Sequence, residues 1–264
     1  MFATAVRTFR VNDIFYSLQG EGRNTGRAAV FIRFAGCNLR CPFCDTEFDS
    51  FREMTDKEII ETIDCILQTT DCRPQTTDYR PQTTDYRLQA IRPLVVLTGG
   101  EPTLQVDETF VDLLHQHSYE VAMESNGTRP APRNLDWLTV SPKIAKSEGQ
   151  KNRDEKQEVR GEKQEVSDER LPDELKIVFD EGIDPESFLS PLTSHLSPLT
   201  SHLSPLTSHH SPLSSQLSPL LYLQPCDTGD AERNAAITKA CVAYIKEHPQ
   251  WRLSLQTHKL IGIE

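Results

Sequence analysis

The stretch Val30-Phe31-Ile32-Arg33-Phe34-Ala35-Gly36-Cys37-Asn38-Leu39-Arg40-Cys41-Pro42-Phe43-Cys44 decides how the rest of the chain is read. Its first five residues are β-branched, aromatic or aliphatic apart from one Arg, which predicts a strand. The strand runs into three cysteines spaced C-x3-C-x2-C. A structural zinc site wants four protein ligands. A cubic iron–sulfur cluster is usually held by four Cys. Three thiolates on one loop, with no local fourth, would leave one iron of such a cluster open to a ligand that is not protein. Taken alone, the triplet favours a cluster, with zinc or incidental cysteines as the alternatives.

Outward from this loop, strand and helix alternate. Thr55-Asp56-Lys57-Glu58 has the form of a capping box. It opens a helix with Ile59, Ile60, Ile63, Ile66 and Leu67 on its apolar face. Leu94-Val95-Val96-Leu97 is a continuous apolar run, as in a buried parallel strand. A helix is predicted over 107–117, with Phe110, Val111, Leu113 and Leu114 inward. Strands follow near 119–124, 137–141, 174–179, 220–223 and 252–256. A last long helix near 230–247 carries Ile237, Ala240, Cys241, Tyr244 and Ile245 on one face. Repeated βα units predict a parallel sheet, open or curled into a partial barrel, with ligands at the carboxyl ends of its strands.

Three segments repeat every seven residues. They read DCRPQTT-DYRPQTT-DYR over 71–87, EKQEVRG-EKQEV over 155–166 and SPLTSHL-SPLTSHL-SPLTSHH-SPLSSQL over 190–217. The third has a Pro in every unit, which forbids a continuous coiled coil. All three read as tolerated insertions in one domain spanning 1–264, at about 69–90, 147–170 and 190–218, on mostly mobile surface loops.

Gross composition narrows the function classes. A formal charge of −11 argues against a surface built to coat nucleic acid. No apolar run reaches the roughly 18 residues of a membrane span, and the start lacks the long apolar core of a secretory signal. The expected compartment is the cytoplasm. Seven cysteines, three of them crowded together, fit a disulfide framework poorly. Cys65 and Cys241 are expected to be plain core residues on helical faces, and Cys72 falls inside a repeat.

Each predicted strand ends in a polar or glycine-rich signature. The cysteine loop follows 30–34, Thr98-Gly99-Gly100-Glu101-Pro102 follows 94–97, and Glu124-Ser125-Asn126-Gly127-Thr128 follows 121–123. Ser141-Pro142-Lys143 follows 137–140, and Gln224-Pro225-Cys226-Asp227 follows 221–223. Each signature alone is an ordinary turn. Their joint placement after strands predicts convergence on one enzyme site.

The cysteine spacing, with an aromatic before the last Cys and a Gly-Gly-Glu-Pro turn, resembles the radical S-adenosylmethionine (SAM) superfamily. Ser17-Leu18-Gln19-Gly20-Glu21-Gly22, Cys44-Asp45-Thr46, Ser141-Pro142-Lys143, Leu223-Gln224-Pro225 and Leu255-Gln256-Thr257-His258-Lys259 narrow the resemblance to the 7-carboxy-7-deazaguanine synthases. It covers nearly all of the chain outside the heptad arrays. It implies an α/β fold of partial (β/α) barrel type with low-complexity loop insertions. It also implies a lyase that converts 6-carboxy-5,6,7,8-tetrahydropterin to 7-carboxy-7-deazaguanine and ammonia for queuosine and related deazapurines. The implied cofactors are a [4Fe–4S] cluster, SAM and magnesium. The implied partners are an electron donor such as flavodoxin or ferredoxin and a second copy of the chain.

The resemblance also assigns residues. Cys37, Cys41 and Cys44 would hold the cluster, and Thr46 the magnesium. Phe43, Cys44 and Asp45 would help seat SAM. Gly100 would approach its methionyl end, where a side chain would clash. Ser141, Pro142 and Lys143 would contact its ribose and carboxylate, and Gln224, Pro225, Cys226 and Asp227 would close over the adenine. Leu18, Gln19, Gly20, Arg33 and Thr98 would grip the pterin, with the terminal carboxylate of Glu264 at its edge. Two other readings stay open on the residues: a glycyl-radical-enzyme activase, which shares the cluster loop, and a non-catalytic zinc or iron–sulfur interaction module.

Overall fold

The structure is a computed structural model that describes residues 7–41, 44, 50–69, 92–143, 170–189 and 219–263. The three heptad arrays lie outside these residues, as do Phe43, Asp45, Thr46, Glu264 and Cys72.

The strands are β1 (Thr8–Leu18), β2 (Ala28–Phe34), β3 (Arg52–Thr55), β4 (Leu94–Gly99), β5 (Glu120–Ser125), β6 (Trp137–Val140), β7 (Glu174–Phe179), β8 (Leu220–Pro225) and β9 (Trp251–Leu253). The helices are α1 (Asp56–Thr69), α2 (Glu108–Gln116), α3 (Ala231–Glu247) and α4 (Thr257–Ile261). All strands belong to one nine-stranded sheet in the order β3-β1-β2-β4-β5-β6-β7-β8-β9. From β2 to β9 every neighbouring pair is parallel. The end strands β3 and β9 do not pair, so among the described residues the sheet is open, as a partial barrel is.

β1 is a long strand running antiparallel to both β2 and β3, and it precedes the βα units that periodicity reveals. Its burial does not alternate cleanly, and its register shifts between Val11 and Asp13, which blurs the period-two signal.

The helices form for the reasons visible in the sequence. At the start of α1 the Glu58 backbone N–H donates to Thr55 Oγ1 at 3.2 Å, and the Thr55 N–H donates to Glu58 Oε2 at 2.7 Å. That is the reciprocal capping box. Asp107 caps α2 and Asp230 caps α3 through their side chains. α1 buries Ile59, Ile60, Ile63 and Leu67, and α2 buries Phe110, Val111 and Leu114. Both pack on Val30, Ile32, Phe34, Val95, Leu97, Val121 and Met123, the residues of one sheet face. Each fully buried Ile, Leu or Phe contributes about 1.5–3 kcal/mol, so this layer dominates the cohesion of the first half. α3 covers β7, β8 and β9 through Ile237 and Cys241. Cys241 is thus a core residue, whereas Cys65 is exposed. Cys65 lies two positions past Ile63, about 200° around the helix from the apolar stripe.

Parity then decides where the polar residues go. In β2 and β4 the residues Ala29, Phe31, Leu94 and Val96 share the face opposite the helices, with Ala122 from β5. Two positions further along the same strands stand Arg33, Thr98 and Glu124. Arg33 and Thr98 are direct register partners, as are Lys176 and Tyr222, and Val178 and Gln224. One face therefore changes from apolar to polar toward the carboxyl ends of the strands. The flanking strands keep their parallel register across the arrays: β6 still pairs with β7, and β7 with β8.

Candidate active site

A cavity of about 440 Å3 opens at those strand ends. The cysteine loop forms its rim. Cys37 and Cys41 are half-buried, Cys44 is exposed, and all three line the cavity. The Cys37 sulfur accepts from the Leu39 N–H at 3.4 Å, and the Cys44 N–H donates to the Cys41 carbonyl at 3.1 Å. Asn126 Nδ2 lies 3.8 Å from the Cys37 sulfur. Burial raises the Cys41 thiol pKa; Lys143 pulls against that, while the nearby Cys44 and Cys37 thiols push it further up. The Cys41 sulfur is thus within electrostatic reach of the other two.

The rim is pinned by backbone. Gly100 N–H donates to the Phe34 carbonyl at 2.7 Å, and Glu101 N–H to the Gly36 carbonyl at 2.9 Å. A Cβ on Gly100 would stand 1.9 Å from the Gly36 oxygen. The cysteine loop itself therefore requires glycine there, a reason independent of any ligand. Glu101 is fully buried and accepts from Thr103 N–H and Oγ1, from Ser125 Oγ at 2.8 Å and from Asn126 N–H at 2.8 Å. It fastens the Gly-Gly-Glu-Pro turn to the turn after β5.

The residues present fit an iron–sulfur cluster better than zinc. No group of three or more His, Cys, Asp or Glu among the described residues is arranged to hold a single metal ion. A cube spreads its thiolates around a larger body, and needs the open space the rim overlooks. Lys143 supplies the cationic side. Its ammonium donates to Ser141 Oγ at 2.8 Å, and its pKa is lowered by burial and then by repulsion from Lys176. Ser141 and Lys143 line the cavity with Gln224, Pro225, Cys226 and Asp227. Pro142 stands between Ser141 and Lys143 in the chain. Asp227 is exposed toward its mouth: a hydrogen bond from Lys259 at 2.9 Å, with others from Gly229 and Asn234, holds its pKa at about 2.

The rest of the lining is charged, and Gln19, Glu21 and Lys176 are deeply buried in it. Leu18, Gln19, Gly20, Arg33 and Thr98 all belong to it. The Arg33 guanidinium stacks on the Phe15 ring, 4.8 Å from its centroid, and has no carboxylate partner among the described residues. Gln19 Nε2 donates to Glu124 Oε1 at 3.0 Å, and Thr98 Oγ1 to Glu124 Oε2 at 3.3 Å. Gly20 has no room for a Cβ, which would meet His258 Nδ1 of α4 at 2.0 Å. Lys176 on β7 pairs with Glu21 and lies 3.9 Å from Glu124 Oε1. Glu21 also accepts from Gln256 at 3.0 Å and from Gln224 at 3.3 Å. Burial would raise the Glu21 pKa, but the charge and hydrogen bond of Lys176, with Gln256 and His258, bring it down to about 2.

Glu21, Glu124, Asn126, Lys176, Gln256 and His258 also line the cavity, none of them with an individual role among the expectations from sequence. Glu21, Glu124, Asn126, Gln256 and His258 stand inside the quoted motifs. Lys176 carried no signal beyond its place at an alternate position of a strand.

The architecture and rim have counterparts in known proteins. Residues 31–157 match the Radical SAM superfamily. The crystal structure of QueE from Escherichia coli superposes with a TM-score of 0.56, covering 94% of this chain and 93% of that one at 23% identity, a likeness of fold. A 7-carboxy-7-deazaguanine synthase from Bacteroides thetaiotaomicron is 38% identical across 96% of this chain and 98% of its own length. One from Nitratidesulfovibrio vulgaris is 36% identical across 97% and 99%. The superfamily's cofactors are a [4Fe–4S] cluster and SAM, in keeping with three thiols on an otherwise open rim. Similarity at this level, running end to end through both halves of the cavity, places the chain in the 7-carboxy-7-deazaguanine synthase family of radical SAM enzymes.

Proposed function

We propose that this chain converts 6-carboxy-5,6,7,8-tetrahydropterin to 7-carboxy-7-deazaguanine and ammonia, in the biosynthesis of queuosine and related deazapurines. The observation that carries the reading is one cavity whose lining joins three thiols with the Arg33 guanidinium and the Glu124 carboxylate.

Cys37, Cys41 and Cys44 would hold the cluster, and Ser141, Pro142 and Lys143 the ribose and carboxylate of SAM. Phe43 and Asp45 would flank the last thiolate, and Gln224 to Asp227 would cover the adenine. When bound, the cluster and SAM together supply the hydrogen-abstracting radical chemistry. The chain's own residues hold the pterin to it. Arg33, stacked on Phe15, would take the substrate carboxylate through its two-pronged fork. Glu124 has oxygen lone pairs left after Gln19 and Thr98 have donated. A pterin presents adjacent N–H donors on its pyrimidine edge, which one carboxylate accepts in parallel. Leu18, Gly20 and Glu264 would close the pocket around the ring, excluding water. Thr46 would hold magnesium weakly, with substrate oxygens completing its shell. We further assign a cytoplasmic homodimer that draws its electron from a flavodoxin- or ferredoxin-type donor. No helix among the described residues is long and apolar enough to cross a membrane.

The test is an anaerobic assay of reconstituted protein with SAM, magnesium, reductant and the carboxy-tetrahydropterin. Appearance of the deazapurine by mass supports the reading, and intact pterin beside a loaded cluster refutes it. In the same assay Thr46→Ala should weaken the magnesium response and leave cluster absorbance unchanged.

A further inference from the structure

Lys176 is the most buried cation of the cavity. Its side chain is 5% exposed, yet it belongs to the lining. Withdrawing an ammonium from water costs several kcal/mol unless well-placed anions answer it. Here the answer is asymmetric. Glu21, at 13% exposure, spends its oxygens on Lys176, Gln224 and Gln256 and has little left for a ligand. Glu124, at 27% exposure, lies 3.9 Å from the ammonium and faces the open space. Glu21 thus anchors the lysine, and the lysine stands behind Glu124. Gln19, 7% exposed, ties the two carboxylates together: its Oε1 accepts from the Glu21 N–H at 3.2 Å while its Nε2 donates to Glu124.

The charged groups around Lys176 are Glu21, Glu124, Glu174 and Lys143, with His258 acting on Glu21. Glu174 accepts from the Arg23 N–H at 2.9 Å, and burial raises its pKa. For Lys176 burial opposes the charge, but the pull of Glu124, then Glu21, outweighs it, and its pKa lies above the ordinary lysine value. It stays an ammonium across the working range, which suits an electrostatic post and not a base.

We propose that Lys176 is a positioning residue for the pterin: anchored by Glu21, its ammonium fixes the Glu124 carboxylate, which lines the cavity, to receive the N–H edge of the substrate. This rests on the function proposed above. Arg33 then fixes one end of the substrate and the Lys176–Glu124 pair the other, so that the hydrogen to be removed faces the thiol rim.

The test is a double-mutant cycle in anaerobically reconstituted holoenzyme, reading the pterin dissociation constant by calorimetry with SAM present. Lys176→Met and Glu124→Gln should each weaken pterin binding at least about tenfold. Iron content and SAM affinity should stay at wild-type levels. Because Lys176 acts through Glu124, the double variant should bind pterin no worse than the weaker single. Losses that multiply overturn the proposal. Lys176→Met leaves Glu21 buried without its cation, so the same cycle is also run in a Glu21→Gln background, which removes that strain. Wild-type pterin affinity in Lys176→Met/Glu21→Gln would show that the lysine only neutralises Glu21, and would overturn the proposal. A wild-type holoenzyme that binds SAM but no pterin overturns this inference together with the proposed function. One that turns the pterin over while the cycle proves multiplicative overturns the inference alone.

Discussion

The two walls of the cavity are built on opposite plans. The thiol wall is a loop held by main-chain hydrogen bonds, with half-buried or exposed side chains left free to bind. The wall formed by Glu21, Glu124 and Lys176 is side chain on side chain, buried and held by charge. Backbone pinning fixes where the loop runs and leaves its thiols unspent, as a cofactor that brings its own metal demands. Charge pinning fixes the side chains themselves, as recognition of a planar polar ligand demands. The hinge between the plans is Glu101, which binds the turn after β4 to the turn after β5.

The difference can be broken from the thiol side with the largest effect. Cys41→Ala should abolish cluster loading and all turnover, seen as lost iron, sulfide and visible absorbance. Glu124 and Lys176 should be undisturbed, so the far-ultraviolet circular dichroism should not change. Next comes Gly100→Ala. The new Cβ would press on the Gly36 carbonyl, which is backbone and must move. Cluster occupancy should fall at least about tenfold under matched reconstitution, while an equivalent substitution at Gly182, where nothing lies within 4 Å of a Cβ, should not alter occupancy. Glu101→Ala strands donors from Thr103, Ser125 and Asn126 in a buried site. It should cost at least about 2 kcal/mol by denaturant unfolding. The exposed pair Lys259–Asp227 should matter least, with Lys259→Ala changing stability by less than about 1 kcal/mol.

Acid titration sharpens the same contrast. The Glu21 pKa is depressed from 4.5 to about 2 in the folded chain. A depressed carboxylate contributes stability that is present above its unfolded pKa and lost as pH falls through the folded one. Part of the acid instability between about pH 4.5 and 2 therefore belongs to Glu21. Glu21→Gln should flatten the fall in unfolding free energy over that interval. An unchanged slope would remove Glu21 from the charge-held wall.

The two plans also explain what the sequence could tell. Cysteine spacing, the Gly-Gly-Glu-Pro turn and the capping box are local, so Cys37, Cys41, Gly100 and Thr55 are legible from their neighbours. The helices over 108–116 and 231–247 were legible for the same reason, being long and periodic. Lys176 was not, and Glu124 was legible only as the first residue of the signature that follows 121–123. A charged residue at an alternate strand position reads as a solvent face, and only the packing of strands far apart in the chain turns that face into a cavity wall. Glu21 meets Lys176 across 155 positions, a pairing no local pattern encodes. Cys65 stands about 200° around the helix from the stripe of Ile59, Ile63 and Leu67, so the helical period itself places it on the exposed face. The antiparallel β1 was hidden by its irregular burial.

The most direct measurement of the central claim is the Mössbauer spectrum of anaerobically reconstituted protein with and without SAM. Three thiolates on an open rim predict a cubane of about four irons per chain, with one iron site changing its signature when SAM is added. Four iron sites that ignore SAM, or a protein that retains no iron and sulfide at Cys37, Cys41 and Cys44, would contradict it.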